Sequence, residues 1–146
     1  MNSLQLIDEI RIRIGDLHEV LDAANVDYST EYLFKLITSA LNSLVVTSVI
    51  EDDTYTISGV TITPNPSTID GLLLATKTVV LLLGGDLSAS VRSGELGIRF
   101  RSGVDEISTI EAAKRIDSTY TRADAEFRGY IIAKIGSKTT GAYRLQ

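Results

Sequence analysis

Three short patterns in this sequence contain residue types that could do chemistry. His18, with Asp22 four residues later, could be a general base that a carboxylate orients. The acidic run at 51–53 could offer oxygen ligands to a metal ion. The run at 136–139, Gly-Ser-Lys-Thr, partly matches a phosphate-binding loop. Each pattern lacks a feature that its chemistry requires.

No nucleophile motif accompanies His18, the single histidine, so we interpret it as a solvated side chain with a weak contact to Asp22. Adjacent carboxylates point apart, so residues 51–53 are interpreted as an acidic turn. In 136–139 the glycine and lysine are not adjacent, and the segment follows a predicted helix rather than a strand. We therefore predict no catalytic residue, no metal site and no cofactor, and a protein that is not an enzyme.

Composition indicates a single globular domain with an aliphatic core. The chain has 146 residues, of which 44% are hydrophobic but only 6% aromatic, with no Trp. It has no Cys, which excludes disulfides, thiolate chemistry and Cys-ligated zinc. Leu, Ile, Val and Ala must therefore build the core.

Neither a leader nor a membrane span is predicted. Acidic residues and arginines interrupt the N-terminal segment where a signal peptide needs an apolar run. The most apolar stretch, 72–83, contains Lys77 and is shorter than the ~20 residues that a membrane helix needs. We interpret it as a buried helix and expect no membrane partner.

Charge is distributed unevenly along the chain. The net charge is −5, yet the four cations after Glu126 meet no acidic residue there. Residues 1–126 consequently hold ten cations and 19 acids, a balance of −9. An acidic body repels phosphate groups, which disfavours general DNA binding.

Hydrophobic periodicity predicts a mainly α fold: a bundle of about four helices with a β-hairpin, a short extra strand and an extended C-terminal tail. Serine caps are expected at Ser3, Ser29, Ser67 (with Asp70) and Ser108 (with Glu111). Glycines at 15 and 84–85 are expected to stop helices. The predicted helices cover about 4–14, 30–49, 67–83 and 109–135, with shorter turns near 17–24 and 86–93.

Residues 54–63 alternate apolar side chains with threonine around Ser58-Gly59, which predicts a hairpin with a two-residue turn. A strand is predicted at 94–103. The hairpin either covers an edge of its own core or contacts a neighbouring subunit. The candidates for such inter-subunit or neck contact are Tyr55, Ile57, Val60, Ile62, Arg99 and Arg101.

The chain is predicted to divide into a helical domain at 1–135 and a flexible arm at 136–146. The arm contains two glycines and no hydrophobic period. It is either a frayed terminus or a segment that folds onto an acidic partner surface. In the second case Tyr143 and Leu145 would anchor it, while Lys138 and Arg144 would steer its approach.

Three motifs give the chain a resemblance to a known family. They are Arg11–Asp16, an R-x-x-I-G-D pattern; Ser29–Leu33, an S-x-E-x-L helix opening; and Gly97–Ile107, a G-x-x-F-x-x-G stretch before the last helix. In this order they resemble the head–tail connector, or adaptor, proteins of tailed bacteriophages. The resemblance covers most of the chain, and none of its motifs is catalytic.

The resemblance implies a structural virion protein that is found in the phage neck, and in the host cytoplasm during assembly. It implies a homo-oligomeric ring, typically a dodecamer, between the portal and the next neck or tail protein, a stopper or tail terminator. DNA would pass through the lumen without sequence-specific binding. The implied portal-binding residues lie in the arm: Lys138, Tyr143, Arg144, Leu145 and Gln146. The alternative is a small phage-encoded regulatory protein with an acidic interaction face.

Overall fold

The computed structural model describes residues 1–16, 28–92 and 103–143. These residues form a mainly helical fold with one small antiparallel hairpin, which confirms the predicted fold class. The helices are α1 (Ser3–Ile14), α2 (Thr30–Val46), α3 (Thr68–Arg92) and α4 (Gly103–Tyr143), and the strands are β1 (Thr56–Ser58) and β2 (Thr61–Thr63).

Local end signals determine α1, although the predicted N-cap was wrong by one residue. Asn2 caps the helix: its side chain accepts from the Gln5 amide, and the Gln5 side chain accepts from the Asn2 amide. Ser3 is the first helical residue, and its hydroxyl accepts from the amide of Ile62 in the hairpin. Gly15, at φ 75°, ends α1 as predicted.

The second helix begins as predicted but ends earlier. The Ser29 hydroxyl accepts from the Tyr32 amide and caps α2. The helix stops at Val46, three residues before the predicted end, and Ser48 adopts a positive φ of 58°. This turn reverses the chain, so that Val49 and Ile50 are buried in the core rather than extending the helix.

The hairpin turn lies one residue later than predicted. Ser58 pairs with Thr61, and Ile57 pairs with Ile62, so the loop is Gly59-Val60. Gly59 has φ 58° and Val60 has no positive φ, which is the pattern of a type II′ turn with glycine at its first central position. Ser58 therefore belongs to β1.

The predicted helix break at Gly84-Gly85 was wrong. Helix α3 continues through Gly84 and Gly85 to Arg92, and a Cβ at Gly84 would lie 3.4 Å from the Tyr120 ring. Helix α4 likewise passes through Gly136 and reaches Tyr143. An interior glycine costs only about 1 kcal/mol, which packing against another helix can offset.

The predicted start and end of the last helix were also wrong. It begins at Gly103, so Ser108 and Glu111 lie inside it and do not form an N-terminal capping box. Its end at Tyr143 replaces the extended tail predicted from Gly136 onward with helix over 136–143.

Helices α3 and α4 form the centre of the fold and run antiparallel. Three side-by-side contacts define their register: Asp70 with Lys134, Lys77 with Phe127, and Gly84 with Tyr120. Successive contacts are seven residues apart on both helices, as in an antiparallel coiled coil. Around this pair, α1, α2 and the hairpin complete a core of aliphatic residues, among them Leu6, Ile10, Leu33, Ile37, Leu44, Ile62, Leu73, Leu74 and Val79.

Several sequence predictions lie outside the described residues. They are the short helical turn near 17–24, with His18 and Asp22, the strand over 94–102, with Arg99 and Arg101, and the terminal residues Arg144, Leu145 and Gln146. Gly103, the last residue of the predicted strand, begins α4 instead.

One described stretch, Thr68–Gly85, is long and apolar enough to cross a membrane by composition, with mean hydropathy 1.5. Of this stretch, 56% is buried within the fold. Core helices share these properties, and α3 packs against α1, α2 and α4. The stretch therefore gives only weak support for a membrane span.

Candidate functional site

The first of the resemblance motifs forms a buried ion pair. Arg11 Nη1 lies 2.5 Å from Asp16 Oδ2, and the two side chains are 4% and 1% exposed. Gly15 adopts the left-handed conformation that turns the chain, and the Asp16 amide then donates to the Arg11 carbonyl at 2.9 Å. Arg11 Nη2 also donates to the Thr30 hydroxyl at 3.3 Å. The pair thereby joins the end of α1 to the start of α2.

A second polar cluster joins the hairpin to both central helices. The Tyr55 hydroxyl donates to Asp70 Oδ2 at 2.7 Å, and the Lys134 ammonium binds Asp70 Oδ1. Asp70 and Lys134 expose 11% and 15% of their side chains. The Asp70 amide donates to the Ser67 hydroxyl, which confirms half of the predicted capping box, while the Asp70 carboxylate binds Tyr55 and Lys134 instead of the Ser67 amide.

The cluster predicts a distinctive pH dependence of stability. Burial, followed by the hydrogen bond to Asp70, raises the pKa of Tyr55 above its ordinary value. Because the pKa of Tyr55 is raised in the folded state, its contribution to the free energy of unfolding is fully present below pH ~10. That contribution is lost as the pH rises through the folded-state pKa. At neutral pH the wild-type protein should therefore be more stable than Tyr55→Phe. This difference in the free energy of unfolding should disappear as the pH rises above about 10.

Paired denaturant titrations of wild type and Tyr55→Phe between pH 7 and 11 measure this difference. At pH 7 the substitution should cost about 1–2 kcal/mol, because it removes a hydrogen bond to a charged acceptor. A difference that stays constant across the whole range would contradict the assigned role of Tyr55.

A groove of roughly 410 Å³ separates α1 from α4. An ionic chain crosses it, in which Glu126 binds both Arg13 of α1 and Arg122 of α4. Burial disfavours the charged form of Arg13, but the hydrogen bond and charge of Glu126, with a smaller contribution from Tyr130, outweigh burial and raise the pKa of Arg13. Because each charge in this chain faces an opposite one, the ion pairs across the groove stabilise the contact between α1 and α4.

Among residues 1–16, 28–92 and 103–143, no three His, Cys, Asp or Glu side chains are grouped so as to hold a metal ion. The polar clusters there are ion pairs and caps that link one element to another. Their arrangement can position helices and resist separation of the elements that they join.

The hairpin residues proposed for inter-subunit contact lie mostly against their own core. Ile62 is 2% exposed, and Ile57 and Tyr55 pack against the core while partly buried. Val60, in the turn, is 44% exposed. The hairpin thus covers an edge of its own core, and Val60 is the most accessible of these four hairpin residues.

The proposed portal-binding residues lie at the end of α4. Lys138 and Tyr143 belong to the helix, and Arg144, Leu145 and Gln146 follow outside the described residues. If the register with α3 continues, residue 136 lies opposite Thr68, where α3 begins. Residues 137–143 then extend about 10 Å past that point, at 1.5 Å per residue.

Large exposed aliphatic side chains form two further surfaces that sequence reasoning did not identify. Leu4 and Ile12 on α1 are 72% and 63% exposed, and Ile132 and Ile135 on α4 are 71% and 53% exposed. Periodicity alone treats every aliphatic residue on an amphipathic helix as a core candidate, so these four could be found only after the packed faces were known.

The chain matches no family model, no curated protein and no solved structure. Its function is therefore argued from its own residues and geometry.

Proposed function

We propose that this chain is a structural protein of the neck of a tailed bacteriophage. In this role it forms a homo-oligomeric ring that links the portal to the next neck or tail protein and lets DNA pass. In this role the chain carries out no reaction, and its sequence motifs serve folding and assembly.

The role of the Arg11–Asp16 pair carries the proposal. This motif, on which the resemblance to adaptors partly depends, is a buried pair that joins the end of α1 to the start of α2. The second motif opens with Ser29, the N-cap of α2. Both motifs therefore position helices, as expected of a subunit whose function is assembly.

The charge distribution supports passage of DNA through a ring. Residues 1–126 carry a net charge of −9, and a wall of like charge prevents the duplex from adhering to it. Of the cations after Glu126, Lys138 lies in the part of α4 that extends past the start of α3. We assign this helical end, including Lys138 and Tyr143, to contact with the portal.

Removing the end of α4 should separate docking from folding. Deletion of residues 137–146 should change the melting temperature by no more than about 2 °C, because the deleted residues extend past the start of α3. The same deletion should abolish co-sedimentation with portal rings. A deletion from Lys134 onward is the control: it removes the partner of Asp70 and should lower the melting temperature by several degrees.

A 137–146 deletion that unfolds the protein would show that the helical end belongs to the core. A deletion that leaves portal binding intact would remove this segment from the docking surface.

Analysis of purified particles distinguishes an adaptor from the alternative regulatory protein. Mass spectrometry of gradient-purified virions should find the chain at a ratio to portal protein near one to one. Its absence from particles, together with capture of a host protein by affinity purification, would favour a regulatory protein that uses its acidic face.

A further inference from the structure

Two exposed surfaces combine apolar residues with charges of opposite sign. The α1 stripe consists of Leu4, Asp8 and Ile12, which recur every four residues on the solvent side of α1. The α4 stripe consists of Arg128, Ile132 and Ile135, at spacings of four and three. Each stripe is about 10–12 Å long at 1.5 Å per residue.

Isolated exposed aliphatic residues are ordinary on a protein surface, but these four are more than half exposed. Ile132 and Ile135 lie about one turn apart on α4, and Leu4 and Ile12 lie about two turns apart on α1 with Asp8 between them. The charges beside them are complementary. Asp8 is exposed on the α1 stripe, and Arg128 exposes 75% of its side chain on the α4 stripe. Arg128 also pairs with Asp124 at 3.0 Å, a surface ion pair of the kind that contributes little and leaves the guanidinium able to bind a second carboxylate.

The two stripes cannot cover each other within one subunit. Glu126 marks the side of α4 that faces α1, since it binds Arg13. At 100° per residue, the members of the α4 stripe lie about 120–180° around the helix from Glu126. The α4 stripe therefore faces away from α1, on another flank of the molecule.

We propose that the α1 stripe of one copy packs against the α4 stripe of the next, in a head-to-tail contact that repeats around a ring. Where Arg128 lies opposite Asp8, Ile132 lies opposite either Leu4 or Ile12, according to the relative direction of the two helices. Because the two surfaces are different and lie on different flanks, the contact is heterologous. Each subunit that is added leaves one free α1 stripe and one free α4 stripe at the ends of the growing assembly. The inference rests on the proposed ring and names the surfaces that build it.

Cysteine cross-linking tests this contact directly, because the natural chain has no Cys. Single variants Leu4→Cys and Ile12→Cys are each mixed with a tagged Ile132→Cys protein under mild oxidation. We expect at least one mixture to give a disulfide-linked heterodimer whose mass is twice the 15.8 kDa chain mass plus the tag. The α1 position that reacts gives the relative direction of the helices. Val46→Cys is the matched control, because Val46 is 83% exposed on α2 and belongs to neither stripe.

The double variant Ile12→Cys/Ile132→Cys, or Leu4→Cys/Ile132→Cys if that pair reacts, should give a ladder of higher multimers. Heterodimer yields no greater than with Val46→Cys would overturn the contact, since its surfaces would then serve another partner or none. A dominant Ile132→Cys homodimer would also overturn it, because the α4 stripe would then be self-complementary.

Portal binding by the same reduced variants separates this inference from the proposed function. Specific cross-linking without portal binding leaves the contact in place and removes the adaptor role. Portal binding without specific cross-linking leaves the adaptor role and assigns ring contacts to other surfaces.

Discussion

Replacing Asp16 with alanine should lower the free energy of unfolding by about 3–5 kcal/mol, the cost of removing one member of a buried ion pair. Asp16 is 2% exposed and Arg11 is 3% exposed, so water cannot replace the lost carboxylate without opening the junction between α1 and α2. The melting temperature should fall by on the order of 10 °C.

Denaturant unfolding followed by far-ultraviolet circular dichroism measures this loss. The matched control is Asp8→Ala on the same helix, an exposed acid whose removal should change stability by no more than about 0.5 kcal/mol. Replacing both members of the pair, as in Arg11→Met with Asp16→Leu, should recover much of the loss, because no buried charge remains. Equal small effects of Asp16→Ala and Asp8→Ala would contradict the structural role of the motif.

Ile62→Ala should be the second most damaging change, costing about 2–5 kcal/mol through lost apolar burial and a residual cavity. Ile62 is 2% exposed, pairs with Ile57 across the hairpin, and belongs to the main core cluster. Val60→Ala is the control within the same hairpin: Val60 is 44% exposed in the turn, so its change should stay within about 0.5 kcal/mol.

Measuring both variants as free, dilute protein decides whether the hairpin packs on its own subunit. A full loss of stability in Ile62→Ala under these conditions assigns the hairpin to the subunit core. If Ile62→Ala is mild in dilute protein but destabilises only the assembled form, the hairpin's packing partner is a neighbouring copy.

Local signals made much of the fold predictable. Ser29, Gly15 and the Ser67 hydroxyl act within one helical turn, so their roles as caps and stops could be recognised without tertiary information. The hairpin was located correctly, but the choice between Ser58 and Gly59 as first turn residue depends on backbone φ. Glycine takes the positive φ that a type II′ turn requires there, and this moved the loop to Gly59-Val60.

Interactions between distant segments explain the errors. Gly84 resembles a helix stop locally, yet α3 packs there against Tyr120 of α4, and this antiparallel contact outweighs the intrinsic cost of glycine. Lys134 was considered only as one charge of a basic tail. Its ion pair with Asp70, 64 residues away, could not be inferred without the helix register.

The candidate site was predictable to a lesser extent. The sequence motifs identified Arg11–Asp16 and Ser29. In the structure Arg11 and Asp16 form a buried ion pair at the end of α1, and Ser29 caps the start of α2. The exposed aliphatic pairs on α1 and α4 emerged only from three-dimensional burial, because a lone sequence does not say which side of a helix remains uncovered.

Electron microscopy of the full-length chain mixed with purified portal rings tests the central claim most directly. The account predicts class averages with a closed ring of added density coaxial with the portal, formed by wild type and lost when residues 137–146 are deleted. Portal rings that remain bare at saturating concentrations of folded wild-type chain would contradict it.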